Sequence, residues 1–207
     1  MKVADHITCG AFPCGDVCHE CYAVPPIDVD PERISVVLIS EAAAPDPGDN
    51  YYAAGSPLFE QTTVQAFRDA GVDVTSVADI VALGVYLTTA VKCAKKEYGI
   101  SSATIEQCSR ILEAELALFP SVKAYLLMGD VAIKSLNYVA KHRGEPRVIA
   151  AGSTYKIRGQ AYYYRGARAF PSYLQAGPSF FIERTKRTMI AEDIATALAL
   201  VQAQAAS

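Results

Sequence analysis

The sequence contains no run of about twenty uninterrupted apolar residues, the length that a membrane-spanning helix requires. Its first residues, MKVADH, lack the apolar core of a secretory signal peptide. From these two absences we expect a cytoplasmic protein with no membrane partner. No internal repeat or linker interrupts the chain, and its 207 residues have 51% hydrophobic content. We therefore predict a single domain over residues 1–207, present as a monomer, with a substantial core.

An overall excess of positive charge is also missing, because the formal net charge is −3. The charges are unevenly distributed, since residues 1–91 contain 3 Lys/Arg against 13 Asp/Glu and residues 92–207 contain 16 against 9. This asymmetry permits one basic face on an acidic body, which is the electrostatic footprint of phosphate contact. A weakly basic face suits a protein that scans and releases DNA, since phosphate contacts set nonspecific affinity.

Six cysteines in a chain without an export signal argue against a disulfide framework. Four of them follow a metal-ligand spacing: Cys18-x2-Cys21, then 71 residues, then Cys93-x14-Cys108. A close pair, a long gap and a wider pair bring distant segments together around one centre. Thiolates in such sets hold zinc or iron–sulfur clusters.

The other two cysteines, Cys9 and Cys14, are surplus to this set. Either could take the place of Cys18, because Cys14, Cys18 and Cys21 are also closely spaced. The alternative is that several of the six are ordinary buried thiols. Residues 1–33 are rich in Cys, Pro and Asp and short of periodic apolar positions. We predict that this N-terminal arm is tied to the rest of the domain by the metal centre.

Strands and helices alternate along the rest of the chain. Strand-like apolar runs cover residues 34–39, 84–91, 122–128 and 167–170, and helix-like segments cover residues 58–71, 101–120, 131–139 and 183–203. Residues 147–164 are β-rich and aromatic and predict a hairpin. Strands separated by helices indicate a parallel α/β sheet whose active loops follow the carboxyl ends of the strands.

Several motifs occur in a fixed order along these elements. They are ISVVLISEA (residues 34–42), GSPLF (55–59), TTAVKC (88–93), LLMGDVA (126–132) and FPSY (170–173). Together with the cysteines, the chain resembles the iron–sulfur branch of the uracil-DNA glycosylase superfamily. That branch carries CxxC, a GEAPG-type loop, G-x-PFVG, TN-x-VKC, LLG-x-x-A, HPS and a fourth cysteine.

The resemblance implies a three-layer α/β/α sandwich around a mostly parallel four-stranded sheet. It implies an enzyme that hydrolyses the N-glycosidic bond of uracil or a related deaminated base in DNA, after the base flips out of the duplex. It also implies a 4Fe–4S cluster on Cys18, Cys21, Cys93 and Cys108, with zinc as the alternative metal.

Three residues are candidates for the chemistry. Glu41 ends the first strand, where the family has its water-handling loop, and a carboxylate there could orient water or stabilise an oxocarbenium-like sugar. The alternative for Glu41 is the capping of a nearby helix. Thr89 replaces the Asn that binds the uracil edge, and one hydroxyl cannot supply both bonds of an amide. Ser172 keeps a hydroxyl in the motif whose histidine is replaced by Phe170.

Aromatic and basic residues are candidates for binding. Phe59, Tyr52 and Phe170 are predicted to contact the base, although Phe59 could equally be a helix core residue. We also predict that five residues contact DNA: Lys95, Lys96, Arg165, Arg168 and Tyr173. The alternative for each basic cluster is a solvated face.

The pocket motifs depart from the family pattern at three points, namely Thr89, Phe170 and a longer first loop. A fold is inherited more readily than an exact chemistry. The second functional interpretation is therefore a catalytically silent nucleic-acid-binding module on the same fold. A third is an enzyme that acts on another small heterocycle, such as a free nucleoside.

Overall fold

The protein, seen in a computed structural model that describes residues 1–205, is a six-stranded sheet with helices on both faces. The strands are β1 (Val17–Cys18), β2 (Val36–Ala43), β3 (Val85–Lys95), β4 (Ala124–Met128), β5 (Tyr162–Tyr164) and β6 (Ala167–Ser172). The helices are α1 (Leu58–Asp69), α2 (Val77–Ala82), α3 (Ser102–Leu116), α4 (Asp130–His142), α5 (Thr154–Ile157), α6 (Ser179–Ile182) and α7 (Arg184–Ala205).

The strand order is β1-β3-β2-β4-β6-β5. The four central strands are parallel, and short antiparallel strands extend the sheet at both edges. The predicted mostly parallel α/β/α sandwich is thus confirmed, with two more strands than expected. The hairpin lies between β5 and β6, at a turn where Arg165 and Gly166 both have positive φ. Residues 147–164 contain helix α5 as well as β5, so the prediction of a hairpin within them was wrong.

The two faces of the sheet follow the alternation of side chains along each strand. Val36 and Leu38 pack with α1, α2 and α7, whereas Val37 and Ile39 pack with α3 and α4. Burial on both faces explains why β2 is a continuous apolar run. No helix within residues 1–205 has the length and apolar character needed to cross a membrane.

Backbone hydrogen bonds hold the N-terminal arm against the end of β3. In β1, Val17 pairs with Lys95 and Cys18 with Ala94. The amide of Ala23 donates to the carbonyl of Lys92 at 2.7 Å. The arm therefore lies beside the carboxyl edge of the parallel strands, where the loops of a functional site are expected.

Candidate functional site

A cavity of about 280 Å³ lies at this carboxyl edge. Three segments line it: residues 22–26 of the arm, residues 47 and 50–53 of the β2–α1 loop, and residues 88–89 of β3. Pockets for drug-sized ligands begin at about 300 Å³. This cavity, which we call the edge cavity, therefore has room for one ligand smaller than a typical drug molecule.

Tyr52 forms one wall of the edge cavity. Its hydroxyl donates to the carbonyl of Leu87 at 2.9 Å and accepts from the amide of Leu87 at 3.1 Å. Burial of the hydroxyl raises the pKa of Tyr52 well above its ordinary value, so the group stays protonated. The predicted base-contacting residue Tyr52 is thus placed at the cavity, with its ring fixed by the backbone of β3.

The neighbouring Tyr51 belongs to a buried hydrogen-bond chain. Its hydroxyl lies 2.6 Å from Ser40 Oγ and accepts from Gln175 Nε2 at 2.7 Å, while Ser40 donates to the carbonyl of Thr88 at 3.3 Å. Burial raises the pKa of Tyr51 to about 12. This chain joins β2, β3 and the loop after β6 around the cavity.

Thr89, one of the predicted catalytic residues, lines the cavity, and its hydroxyl has no hydrogen-bond partner among residues 1–205. Thr88 also borders the cavity but its hydroxyl donates to Glu115 Oε1 at 2.9 Å. Of the two β3 threonines at the cavity, Thr89 is therefore the one whose hydroxyl is not already hydrogen-bonded within residues 1–205.

Glu41 has both carboxylate oxygens engaged elsewhere. One oxygen pairs with Lys95 Nζ at 2.8 Å, and the other accepts from the amide of Val131, at the start of α4, at 3.5 Å. A Cβ on Gly129 would lie 2.6 Å from Glu41 Oε1, so glycine is required for this contact. Glu41 does not line the edge cavity. The geometry favours the helix-capping alternative, and it commits Lys95 to Glu41.

Three other predicted residues point into the protein. Ser172 is buried and donates to Asp193 Oδ2 at 2.6 Å. Phe170 is in the core, with the guanidinium of Arg168 4.7 Å from its ring centre. Phe59 is 9% exposed and packs on Tyr51 at 5.3 Å. None of the three lines the edge cavity, so the geometry does not support their predicted catalytic or base-binding roles.

The predicted DNA-contacting residues lie at two ends of the sheet. Arg165, which pairs with Glu145 at 3.4 Å, and Arg168 flank the amino end of β6, opposite the edge cavity. Lys96 and Tyr173 follow the carboxyl ends of β3 and β6. Of these five residues, Lys96, Tyr173 and the ion-paired Lys95 therefore lie at the same end of the sheet as the edge cavity.

A second cavity, of about 210 Å³, lies between the arm, β3 and α3. Four thiols line it: Cys9, Cys14, Cys93 and Cys108. Burial, together with the neighbouring thiols, raises the pKa of Cys93 to about 12. Four thiols that share one cavity can ionise together only beside a strong positive charge, such as a metal centre. We call this space the thiol cavity.

Cys18 and Cys21 are not among the residues that line the thiol cavity. Their sulfurs are 3.0 Å apart, and Cys21 donates to the carbonyl of Pro45 in the β2–α1 loop at 3.4 Å. The hydrogen bond from Cys21 to Cys18 lowers the pKa of Cys18. Cys9 and Cys14 thus line the thiol cavity with Cys93 and Cys108. Cys18, one of the two predicted arm ligands, lies close enough to Cys93 to contribute to the raised pKa of that thiol.

The molecule is an α/β domain with a small cavity at the carboxyl ends of parallel strands. Residues 27–192 match the family model of the Uracil DNA glycosylase superfamily, and the chain belongs to this superfamily. A segment of 58 residues is 38% identical to the Type-5 uracil-DNA glycosylase of Thermus thermophilus. This segment is 28% of the chain and 26% of that relative, so the chain matches about a quarter of the relative's length.

Proposed function

We propose that the protein is a DNA glycosylase that hydrolyses the N-glycosidic bond of uracil or a related deaminated base. The observation that carries this proposal is the edge cavity, whose size fits one base and whose β2–α1 and β3 walls lie within the part of the chain that matches the superfamily. These walls offer the Tyr52 ring for stacking and the Thr89 hydroxyl for the base edge.

The rate of such an enzyme should be modest. Phe170 stands where the family has a histidine, and its side chain is in the core. Loss of one donor to a developing oxyanion costs about 10²–10³ in rate. Catalysis then depends on stacking of the flipped base and on backbone groups that stabilise the departing base anion. A water molecule attacks the sugar without a dedicated acid or base.

We also propose that a 4Fe–4S cluster is bound by Cys9, Cys14, Cys93 and Cys108. Four thiols around one cavity match the ligand chemistry of such clusters. A single zinc ion needs its thiolates to converge at about 2.3 Å from the metal. Within residues 1–205, no three His, Cys, Asp or Glu side chains are already grouped to hold a metal ion, so the thiols would have to draw together around either metal. When bound, the cluster would join the arm to β3 and α3 and need not take part in redox chemistry.

The test is the release of free base from single- and double-stranded oligonucleotides that carry one uracil, hypoxanthine or xanthine. We expect release of at least one base, and a reduced rate for Thr89→Val, which keeps the shape of the side chain and removes its hydroxyl. Tyr155→Phe is the matched control, because Tyr155 is 73% exposed on α5 and outside the cavity lining. Failure to release any base, or an unchanged rate for Thr89→Val, would contradict this proposal.

The engagement of Glu41 and Ser172 favours a second candidate, a nucleic-acid-binding module without catalysis. This module would use the same edge cavity to hold a flipped base. Binding of the uracil-containing oligonucleotide in preference to its thymine counterpart, with no base released, would support the second candidate over the first.

A further inference from the structure

A third cavity, of about 380 Å³, lies on the solvent-facing side of α4. Ser102, the first residue of α3, also lines it. None of its lining residues borders the edge cavity or the thiol cavity. We call this space the helix cavity, and its other lining residues are Lys134, Asn137, Tyr138, Lys141, Glu145 and Arg147.

One face of α4 supplies an aromatic ring between two ammonium groups. Lys134, Tyr138 and Lys141 follow one another at intervals of four and three residues, which places them on one side of the helix. Lys141 Nζ lies 5.5 Å from the centre of the Tyr138 ring and pairs with Glu106 at 2.8 Å. Lys134 Nζ has no hydrogen-bond or ion-pair partner within residues 1–205. This face therefore combines a surface for a planar ring with a cation that no described protein group occupies.

The guanidinium of Arg147 is oriented by hydrogen bonds of the segment that follows α4. Arg147 Nε donates to the carbonyl of Ile149 at 2.7 Å. Asn137 of α4 holds the same residue, because its Oδ1 accepts from the amide of Ile149 at 2.8 Å and its Nδ2 donates to the carbonyl at 3.2 Å. The two terminal nitrogens of Arg147 have no partner within the described part of the chain. They are therefore available for a paired contact with an oxyanion.

The charges of the helix cavity fit a doubly charged anion. Its three cations and the one carboxylate, Glu145, leave a net charge of +2. Glu145 is itself paired with Arg165 at 3.4 Å, and Lys141 with Glu106, so counting these two outer partners does not change the balance. A phosphate monoester carries about −1.5 to −2 near pH 7. A phosphodiester carries a single negative charge and fits this balance less well.

We propose that the helix cavity binds a nucleoside monophosphate unit, with its phosphate monoester on Arg147 and Lys134 and its base on the Tyr138 ring. The volume is within the range of small-ligand pockets, which begins at about 300 Å³. The same unit occurs as a free nucleotide and at the 5′-phosphorylated end of a DNA strand. The inference does not rest on the proposed glycosylase function, because the helix cavity is separate from the edge cavity.

The test is calorimetric titration of the anaerobically purified full chain with AMP, 3′,5′-cyclic AMP, adenosine and inorganic phosphate. AMP and cyclic AMP share base and sugar and differ in the charge of the phosphate. We expect AMP to bind about tenfold or more tightly than each of the other three, the order of one charge-assisted hydrogen bond. Equal affinity for AMP and cyclic AMP, equal affinity for AMP and phosphate, or no binding of AMP at millimolar concentration would overturn the proposal.

Substitutions assign the binding to the helix cavity. Arg147→Gln and Lys134→Gln each remove one cation, and we expect each to weaken AMP binding about tenfold. Lys156→Gln is the matched control, because Lys156 is an exposed cation of α5 outside the cavity lining, and its affinity should be unchanged. Urea unfolding checks that the variants remain folded. If folded Arg147→Gln and Lys156→Gln bind AMP equally well, the site lies elsewhere and the proposal fails.

A second titration separates the two sources of the ligand. It compares oligonucleotides without uracil that differ only in a 5′-phosphate or a 5′-hydroxyl group. A preference for the 5′-phosphate that Arg147→Gln abolishes would identify the strand end as a ligand, whereas AMP binding without this preference would identify the free nucleotide. A preference that Arg147→Gln keeps would count against the helix cavity. Since these strands contain no deaminated base, failure of the glycosylase proposal would leave the result unchanged.

Discussion

Lys92 Nζ lies 2.5 Å from Glu115 Oε2, and both side chains are fully buried. The same ammonium donates to Thr88 Oγ1 at 2.7 Å and to the carbonyl of Thr89 at 2.6 Å, so its three protons are all used. The amide of Lys92 donates to Cys108 Sγ at 3.3 Å. One residue of β3 therefore contacts a thiol of the thiol cavity and two residues of the edge cavity.

This arrangement predicts a large effect for Lys92→Met. The substitution leaves Glu115 as a buried unpaired carboxylate, which costs about 3–5 kcal/mol in the free energy of unfolding. The double variant Lys92→Met with Glu115→Gln removes both charges and should recover a large part of the loss. Urea unfolding of the unmodified chain, the single variant and the double variant measures these differences in the free energy of unfolding. Equal stability of the single variant and the unmodified chain would show that the ion pair does not exist in solution.

The thiol cavity predicts which cysteines hold iron. Cys9→Ala and Cys93→Ala should both abolish iron retention, because each removes a thiolate from a four-ligand set. Cys18→Ala should retain the brown colour and about four irons per chain, as expected for a 4Fe–4S cluster. Iron and sulfide assays on the anaerobically purified variants measure how much cluster each one retains. A colourless protein with one zinc would rule out the cluster, and loss of iron from Cys18→Ala alone would restore the ligand set predicted from the spacing.

The central strands could be predicted because β-branched runs such as residues 34–39 have a strong pattern, and so could helices with clear caps. Ser101, for example, accepts from the amide of Thr104 at the start of α3. The edge strands could not be predicted, since β1 and β5 have two and three residues and such lengths carry no periodicity. These strands form only because they pair with longer neighbouring strands.

The sequence also could not predict which cysteines line the thiol cavity. The CxxC spacing of Cys18 and Cys21 suggested ligands, yet which thiols face the thiol cavity depends on the path of residues 9–14 and on the pairing of β1 with β3. A turn at Phe12, with φ of 42°, lies between Cys9 and Cys14. Such a path is set by tertiary contacts and leaves no local signature in the sequence. Tyr22, which lines both cavities, was absent from the predicted site residues for the same reason, because only the folded arm brings it there.

Phe170→His tests whether residue 170, which stands where the family motif has a histidine, contacts the base. The structure places Phe170 in the core below the Arg168 guanidinium, so a histidine there buries a polar ring beside a fixed positive charge. We expect a loss of roughly 2–4 kcal/mol in the free energy of unfolding and no gain in base release. Phe170→Leu is the control, since it should cost less and leave activity unchanged. A faster release by Phe170→His would mean that the side chain reaches the base.

Thr89→Asn tests whether the side chain of residue 89 hydrogen-bonds to the edge of the base. An amide supplies both a donor and an acceptor, whereas the Thr89 hydroxyl makes one bond at a time to the uracil edge. The substitution should raise the single-turnover rate of uracil release by about 10², which is the order associated with one added donor. It should also sharpen discrimination against cytosine. Thr89→Val, which has neither a donor nor an acceptor, should release uracil more slowly than the unmodified chain in the same assay. If Thr89→Asn and Thr89→Val behave alike while both remain folded, residue 89 does not contact the base and the edge cavity binds something else.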